Sequence, residues 1–330
     1  MGVKVVITGG AGFIGSNLVR FWRNNLPEDS VTVLDALTYA GHRESLRDLD
    51  SDPKFDFVQG DLCDANAVEE TIRGADLVVH LAAETHNDRA VADPMPFVRT
   101  NVEGTAVLLE AVRKLGIPRF HHVSTDEVFG SLELDSPERF SENSPYRPRG
   151  PYSASKASGD HLVRAWHETY GLRVTLSNCS NNFGPYQHPE KLIPLAITRL
   201  IDGGRVPVYG DGRNVRDWIH VDDHCSAIQA VCQRGRIGAT YLVSAGLELR
   251  NLEVVDRIAR QFGKGREAIE FVADRPGHDR RYALDSTRLR EELGWRPTHG
   301  FDEGLLSTVA WYRANPGWWR PLLPATNAAR

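Results

Sequence analysis

From the start of the chain to about residue 180, short apolar runs alternate with longer amphipathic stretches. The runs Val3–Thr8, Val31–Asp35, Phe55–Gln59, Leu77–Leu81, Phe120–Ser124 and Val174–Asn178 are of strand length and nearly unbroken, as strands buried on both faces are. Between them, Phe13–Asn25, Asp64–Arg73, Pro96–Leu115 and Ser153–Tyr170 carry helical spacing. Strand and helix in alternation predict an α/β fold, a Rossmann-like doubly wound parallel sheet with helices on both faces. The first run is too short to span a membrane and leads straight into glycines, so it reads as a buried strand rather than a signal peptide.

Beyond residue 180 the rhythm breaks into a mixture rich in Pro, Gly and Asn, with helices expected near Glu190–Asp202, Asp222–Arg234, Asn251–Phe262 and Phe301–Arg313. The change predicts a dinucleotide-binding domain over residues 1–180 and a smaller mixed α/β lobe over 181–330 that caps a substrate, with some chain crossing between them. Pro324–Arg330 reads as a loose tail. A chain of 330 residues, 41% of them hydrophobic, can build so large a core. The formal charge of -5 is scattered rather than blocked, which argues against nucleic acid as the partner. Four dispersed cysteines suit neither a disulfide framework nor a zinc site and point to a reducing cytoplasm.

The first strand runs into Thr8-Gly9-Gly10-Ala11-Gly12-Phe13-Ile14-Gly15. A Gly-x-x-Gly-x-x-Gly loop that opens a helix lets the backbone turn tightly and approach a pyrophosphate, whose charge is met by helix N-terminal amides. Glycines alone could mark only a turn. Asp35, ending the second strand about twenty residues on, is placed to bind the adenine ribose hydroxyls and to favour NAD over NADP, or it could cap the next turn. Asp61 after the third strand suits the adenine and a helix cap equally.

Tyr152 and Lys156 stand at i and i+4 near the start of a helix and share one face. A phenol titrates near about 10 in water; a neighbouring ammonium and a cationic nicotinamide are expected to lower that value, making Tyr152 a base near neutral pH. Taken alone, the same spacing is an ordinary surface pair. Ser124-Thr125-Asp126-Glu127 follows a strand at the carboxyl edge of the sheet, where such folds place ligands. Its two carboxyl groups could cap a helix, or could be a general acid and a general base set apart by burial.

Together the glycine loop, Tyr152 and Lys156 resemble the extended short-chain dehydrogenase/reductase family of nucleotide-sugar enzymes. The strings Thr125-Asp126-Glu127-Val128-Phe129-Gly130, Asn178-Cys179-Ser180-Asn181-Asn182-Phe183-Gly184-Pro185-Tyr186 and Pro189-Glu190-Lys191-Leu192-Ile193-Pro194 are similar to the dTDP-glucose 4,6-dehydratases, and the likeness covers nearly the whole chain. It implies a redox cycle through bound NAD: oxidation at sugar carbon 4, elimination of water across carbons 5 and 6, and reduction at carbon 6. Tyr152 would take the 4-hydroxyl proton, Thr125 would bond the same oxygen, Glu127 would take the carbon 5 proton and Asp126 would protonate the leaving hydroxyl. The family pattern assigns cofactor contacts to Gly9, Gly12, Phe13, Ile14, Gly15, Asp35, Leu37, Thr38, Asp61, Leu62, Leu81, Ala83, Thr100, Tyr152, Lys156 and Asn182. It assigns the dTDP-glucose substrate to Thr85, Thr125, Asn181, Lys191, Leu192, Pro207, Tyr209, Arg216, Asn251, Arg275 and His278, with arginines suited to the diphosphate.

Three positions depart from that pattern: Asn87 replaces an aliphatic residue in Glu84-Thr85-His86-Asn87-Asp88, and Phe129 and Phe183 replace tyrosines. They bear on substrate choice. No metal is expected, since His86 and His121-His122 lack partners at ligand spacing, and Trp318-Trp319 reads as packing. A UDP-sugar 4-epimerase, another nucleotide-sugar dehydratase and a silent NAD-binding regulator are the competing readings. Product analysis separates the first two, and loss of all turnover would favour the third. The resemblance also implies a homodimer through the helices around Pro96–Leu115 and Ser153–Tyr170.

Overall fold

The computed structural model describes residues 2–274 and 277–323. Seven parallel strands form the main sheet: β1 (Lys4–Thr8), β2 (Ser30–Asp35), β3 (Phe55–Gln59), β4 (Leu77–His80), β5 (Phe120–Thr125), β6 (Val174–Cys179) and β10 (Thr240–Val243), in the order β10-β6-β5-β4-β1-β2-β3. The remaining strands are β7 (Asn181–Phe183), β8 (Val206–Tyr209), β9 (Val215–His220), β11 (Glu248–Arg250) and β12 (Ile269–Val272), which make the small sheets β11-β9-β7 and β12-β8.

Strand alternation decides which side chain faces which layer of helices. Val6, Leu34, Val78 and Phe120 point to one face and pack with Val68, Ile72, Leu108, Val112 and Val163. Val5, Ile7, Val31, Val33 and Val79 point to the other and pack with Leu18, Val19 and Trp22 of the helix Phe13–Asn25 and with Cys225 and Ile228 of the helix Val221–Arg234. Each buried aliphatic side chain contributes about 1.5–3 kcal/mol relative to exposure. Two-sided burial is why these strands carry apolar runs rather than alternation. A third core joins the helices Leu192–Ile201, Asn251–Gln261 and Phe301–Ala314 to β8, β9, β11 and β12.

Chain order reverses between β1 and β4, which places a topological switch point at their carboxyl ends. The expected strands form within a residue or so of the predicted bounds, but the seventh, β10, comes from beyond residue 180 and pairs with β6. The expected helix over Pro96–Leu115 is broken into Met95–Val98, a turn of wide π geometry at Arg99–Gly104, and Thr105–Leu115. The break has a visible cause: Asn101, 2% exposed, accepts the Glu84 amide at 2.9 Å and donates to the Glu84 carbonyl at 3.0 Å and to Ser155 Oγ at 2.8 Å. A buried amide that serves two neighbours in this way displaces the regular ladder. Trp319 is fully buried against Tyr312, whose carbonyl accepts its indole N–H, and Trp318 donates to Ser45.

Candidate active site

At the end of β1 the chain turns on Gly9, whose φ of +73° suits glycine, and a side chain there would come within 2.6 Å of the Ala82 backbone. At Gly15 a Cβ would lie 2.1 Å from the Gly9 carbonyl oxygen, so glycine is what lets the helix start pack on the loop. No side chain caps that helix, so its first amides remain available to an anion. Asp35 at the end of β2 is buried; its carboxylate accepts the Ala11 and Leu37 amides, at 2.9 and 2.8 Å, and burial raises its pKa. It therefore caps the turn and lines the cleft at once, with further lone pairs left for ribose hydroxyls.

This first cleft is lined by Gly9, Gly12, Phe13, Ile14, Gly15, Asp35, Thr38, Asp61, Leu62, Leu81, Ala83, Thr100, Tyr152, Lys156 and Asn182. Of the expected cofactor contacts only Leu37 is missing from the wall. It adopts a φ of +52° and packs against the core instead. Such a group suits NAD: a cradle without side chains for the pyrophosphate, an acid at the ribose position and Tyr152 with Lys156 at the far end.

A second cleft is lined by Asn181, Lys191, Leu192, Pro207, Tyr209, Arg216, Asn251 and His278, together with Asn87, Glu127, Arg149 and Tyr282. Thr85 and Thr125 line the first cleft and not the second. Arg275 lies outside the described residues. Arg216 is 8% exposed, sits 4.4 Å above the Tyr282 ring, and donates to the Val215 and Asp279 carbonyls. Tyr282 and Asp279 were not foreseen, and only their place beneath Arg216 reveals them. The two clefts share Glu127, Asn181, Asn182, Gln187, Glu190 and Lys191 as a common wall.

At that junction Thr125 caps a short turn, Asp126–Phe129, accepting the Glu127 amide at 3.3 Å and donating to Asp126 Oδ1 at 3.2 Å. Asp126 is 2% exposed and its Oδ2 has no hydrogen-bond partner among the described residues. Burial, and then the adjacent Glu127, hold its carboxyl well above the usual carboxylate range. Burial thus favours the proton-bearing form of Asp126 over its ionised form, beside the more exposed Glu127, whose Oε2 accepts from Asn87 at 3.0 Å.

Tyr152 is buried beside Phe97, with ring centroids 6.3 Å apart. The expectation that its neighbourhood lowers its pKa is corrected for the protein by itself: burial first, then Glu127, push the phenol well above its ordinary value. Lys156 does not offset this, because its own pKa is lowered by burial and its ammonium donates to the Val123 carbonyl at 2.9 Å. Asp160 opposes that lowering; it is fully buried and held by His122 Nε2 at 3.1 Å, the Tyr146 hydroxyl at 2.7 Å and Asn178 at 3.2 Å.

Of the histidines set aside above, His121 is buried in β5 in contact with Thr175 and Ser177, while His86 lines the second cleft 3.9 Å from Glu190. Among the described residues His220, Asp222 and His299 have ligand atoms close together, yet His220 Nδ1 accepts the Asp222 amide at 3.3 Å and His299 Nδ1 faces Asp223 at 2.9 Å. The group acts as a cap that ties a loop to a helix start.

A family profile described as GDP-mannose 4,6 dehydratase matches residues 6–308. A dTDP-glucose 4,6-dehydratase of Mycobacterium tuberculosis is 54% identical over 327 residues, which cover 99% of this chain and 98% of that relative. A dTDP-glucose 4,6-dehydratase from Streptomyces venezuelae, solved with NAD and TYD bound, matches with a TM-score of 0.94 at 49% identity, covering 97% of this chain and 100% of that one. A Bacillus anthracis dTDP-glucose 4,6-dehydratase in complex with NAD gives 0.91 at 43% identity, over 97% and 100% of the two chains. By sequence, topology and full-length likeness, the chain belongs to the GDP-mannose 4,6 dehydratase family, within the extended short-chain dehydrogenase/reductases.

Proposed function

We propose that the chain is a dTDP-glucose 4,6-dehydratase, converting dTDP-glucose to dTDP-4-keto-6-deoxyglucose and water. The observation that carries the reading is the carboxyl pair where the two clefts meet, with Asp126 buried and Glu127 more exposed beside it. A 4-epimerase needs only oxidation and reduction at carbon 4, and so has no use for an adjacent acid and base.

Bound NAD supplies the hydride acceptor and donor, and its cationic ring supplies positive charge beside the phenol. Tyr152 takes the proton of the sugar 4-hydroxyl, and Lys156, anchored on the Val123 carbonyl, lines the same cleft one helical turn on. Thr125 reaches the same sugar oxygen by giving up its bond to Asp126. Once carbon 4 is a ketone, the carbon 5 proton is acidic. Glu127 removes it, the C–H electron pair becomes the carbon 5–carbon 6 double bond, the carbon 6–oxygen bond breaks, and the departing hydroxyl takes the Asp126 proton and leaves as water. Glu127 returns its proton to carbon 5 when carbon 6 is reduced. Arg216, Lys191 and His278 in the second cleft bind the nucleotide diphosphate.

We also infer a two-lobe arrangement near residue 180 and a homodimer through the segments around Pro96–Leu115 and Ser153–Tyr170. Met95 and Val98 on the short helix Met95–Val98, and Tyr170 at the end of the helix Pro151–Tyr170, are large, apolar and exposed and support the dimer. A monomeric mass in light scattering would reject it. A cytoplasmic location is in keeping with four free cysteines, and no helix of the described residues is long and apolar enough to cross a membrane.

The function is tested by incubating the purified protein with dTDP-glucose, without added NAD, and following the product by mass spectrometry. Loss of water with a keto product supports it. No reaction, persisting after NAD is added, overturns it.

A further inference from the structure

The carboxylate assigned as the carbon 5 base stands on a one-turn cap, with no helix of its own to hold its side chain. Thr125 fixes its backbone through the 3.3 Å contact to the Glu127 amide, and that bond leaves the carboxylate free to rotate. The hydrogen bond that orients the carboxylate comes from a different element of the chain. Asn87 opens the short helix Asn87–Ala92 and its Nδ2 donates to Glu127 Oε2 at 3.0 Å. Both residues line the second cleft, as do Arg149 and Tyr282. An aliphatic residue at 87 would leave that oxygen without this donor.

We propose that Asn87 is a positioning residue for the elimination step, an inference that rests on the function proposed above. The amide is a neutral donor. It holds one carboxylate oxygen and so fixes the plane of the group, leaving the other oxygen to carbon 5. Lysine or arginine in its place would bind the carboxylate as an ion pair and weaken it as a base. Asn87 also steadies the ionised product of the return step, when Glu127 gives its proton back to carbon 5. Among the described residues its side chain bonds Glu127 and none of Thr125, Tyr152 and Lys156, so its effect is confined to the steps that use Glu127.

The test is single-turnover kinetics of the holoenzyme with dTDP-glucose, comparing wild type with Asn87→Leu, Asn87→Gln and Asn87→Asp. Reduced cofactor is read by absorbance and water loss by mass spectrometry. For Asn87→Leu the oxidation rate is expected to stay within about twofold of wild type, while elimination slows about tenfold, a loss of roughly 1.4 kcal/mol. Reduced cofactor then stands at a higher level, and a carbon 5 deuterium isotope effect emerges on turnover. Asn87→Gln, whose longer amide can reach the same oxygen, recovers most of the elimination rate; Asn87→Asp, which sets a second negative charge beside Glu127, loses more than Asn87→Leu. Equal slowing of oxidation and elimination in Asn87→Leu, or an unchanged ratio of the two rates, overturns the positioning role while wild-type turnover keeps the function standing. Failure of the wild type to release water overturns the function, and this inference with it.

Discussion

The two clefts that meet at Glu127 are built by opposite means. The first is made largely of backbone: a glycine turn after β1, the uncapped start of the helix Phe13–Asn25 and the ends of neighbouring parallel strands. The second is made of side chains brought from far apart, with Asn87, Arg149, Lys191, Arg216, Asn251 and His278 in its wall. Backbone recognition needs small residues at fixed short spacing, so it can be written in one stretch of chain. Side-chain recognition needs only that the fold bring the right groups together, and leaves no local trace. The difference predicts that the binding of the two ligands can be damaged separately, while a change to the catalytic groups where the clefts meet stops the chemistry and spares binding.

The largest effect belongs to the junction. Tyr152→Phe is expected to lower turnover on the order of 10³-fold, the scale of a lost general base, with dTDP and NAD still bound by calorimetry. Asp126→Asn should follow at about 10²-fold, with reduced cofactor accumulating and water release slowed to the same degree; normal product formation would remove Asp126 from its role. A break confined to the first cleft comes next: Gly15→Ala sets a Cβ 2.1 Å from the Gly9 oxygen and should weaken NAD retention at least about tenfold, while dTDP still binds. Arg216→Met should do the reverse, raising KM about tenfold with the NAD content of the purified protein unchanged. If either variant loses both ligands together, the clefts are not independent.

An effect on stability rather than on either ligand comes from three buried histidines, His121 and His122 on β5 and His224 on the helix Val221–Arg234. Burial pushes the pKa of His121 down to about 3, that of His122 to about 4 and that of His224 to about 3. An unfolded histidine titrates near about 6.5, so below that pH the unfolded chain takes up protons that the folded one refuses. Stability is therefore present above about pH 6.5 and lost as the pH falls towards about 4, by roughly 2 kcal/mol per histidine at about pH 5. Urea melts at the two pH values check the sign; a flat profile would mean that these imidazoles find water or partners in solution.

Much of the first cleft could be read from the chain, because its constraints are local. Gly9, Gly12 and Gly15 announce the turn, and Asp35 follows at the distance a βαβ unit imposes. The broken helix at Arg99–Gly104 could not be read so: apolar spacing runs through it, and only the tertiary bonds of Asn101 to Glu84 and Ser155 show why a polar amide sits there. The raised pKa of Tyr152 went unforeseen for a related reason. Lys156 four residues on is visible in sequence, but the burial and the facing acids that outweigh it are not. Tyr282 beneath Arg216 carries no local signal at all.

The place of β10 in the main sheet has a consequence for how the chain is made. When the first 180 residues have left the ribosome, β6 is still an open edge, and the strand that covers it is some sixty residues further on. Synthesis therefore passes through a stage in which Val174–Cys179 presents an unpaired ladder, a template for pairing with other chains. The helix Val221–Arg234, which covers one face of the same sheet, also arrives within that interval. The first half of the molecule thus becomes a finished layer only when much of the second half has been made, and a fragment ending at residue 180 should aggregate rather than fold.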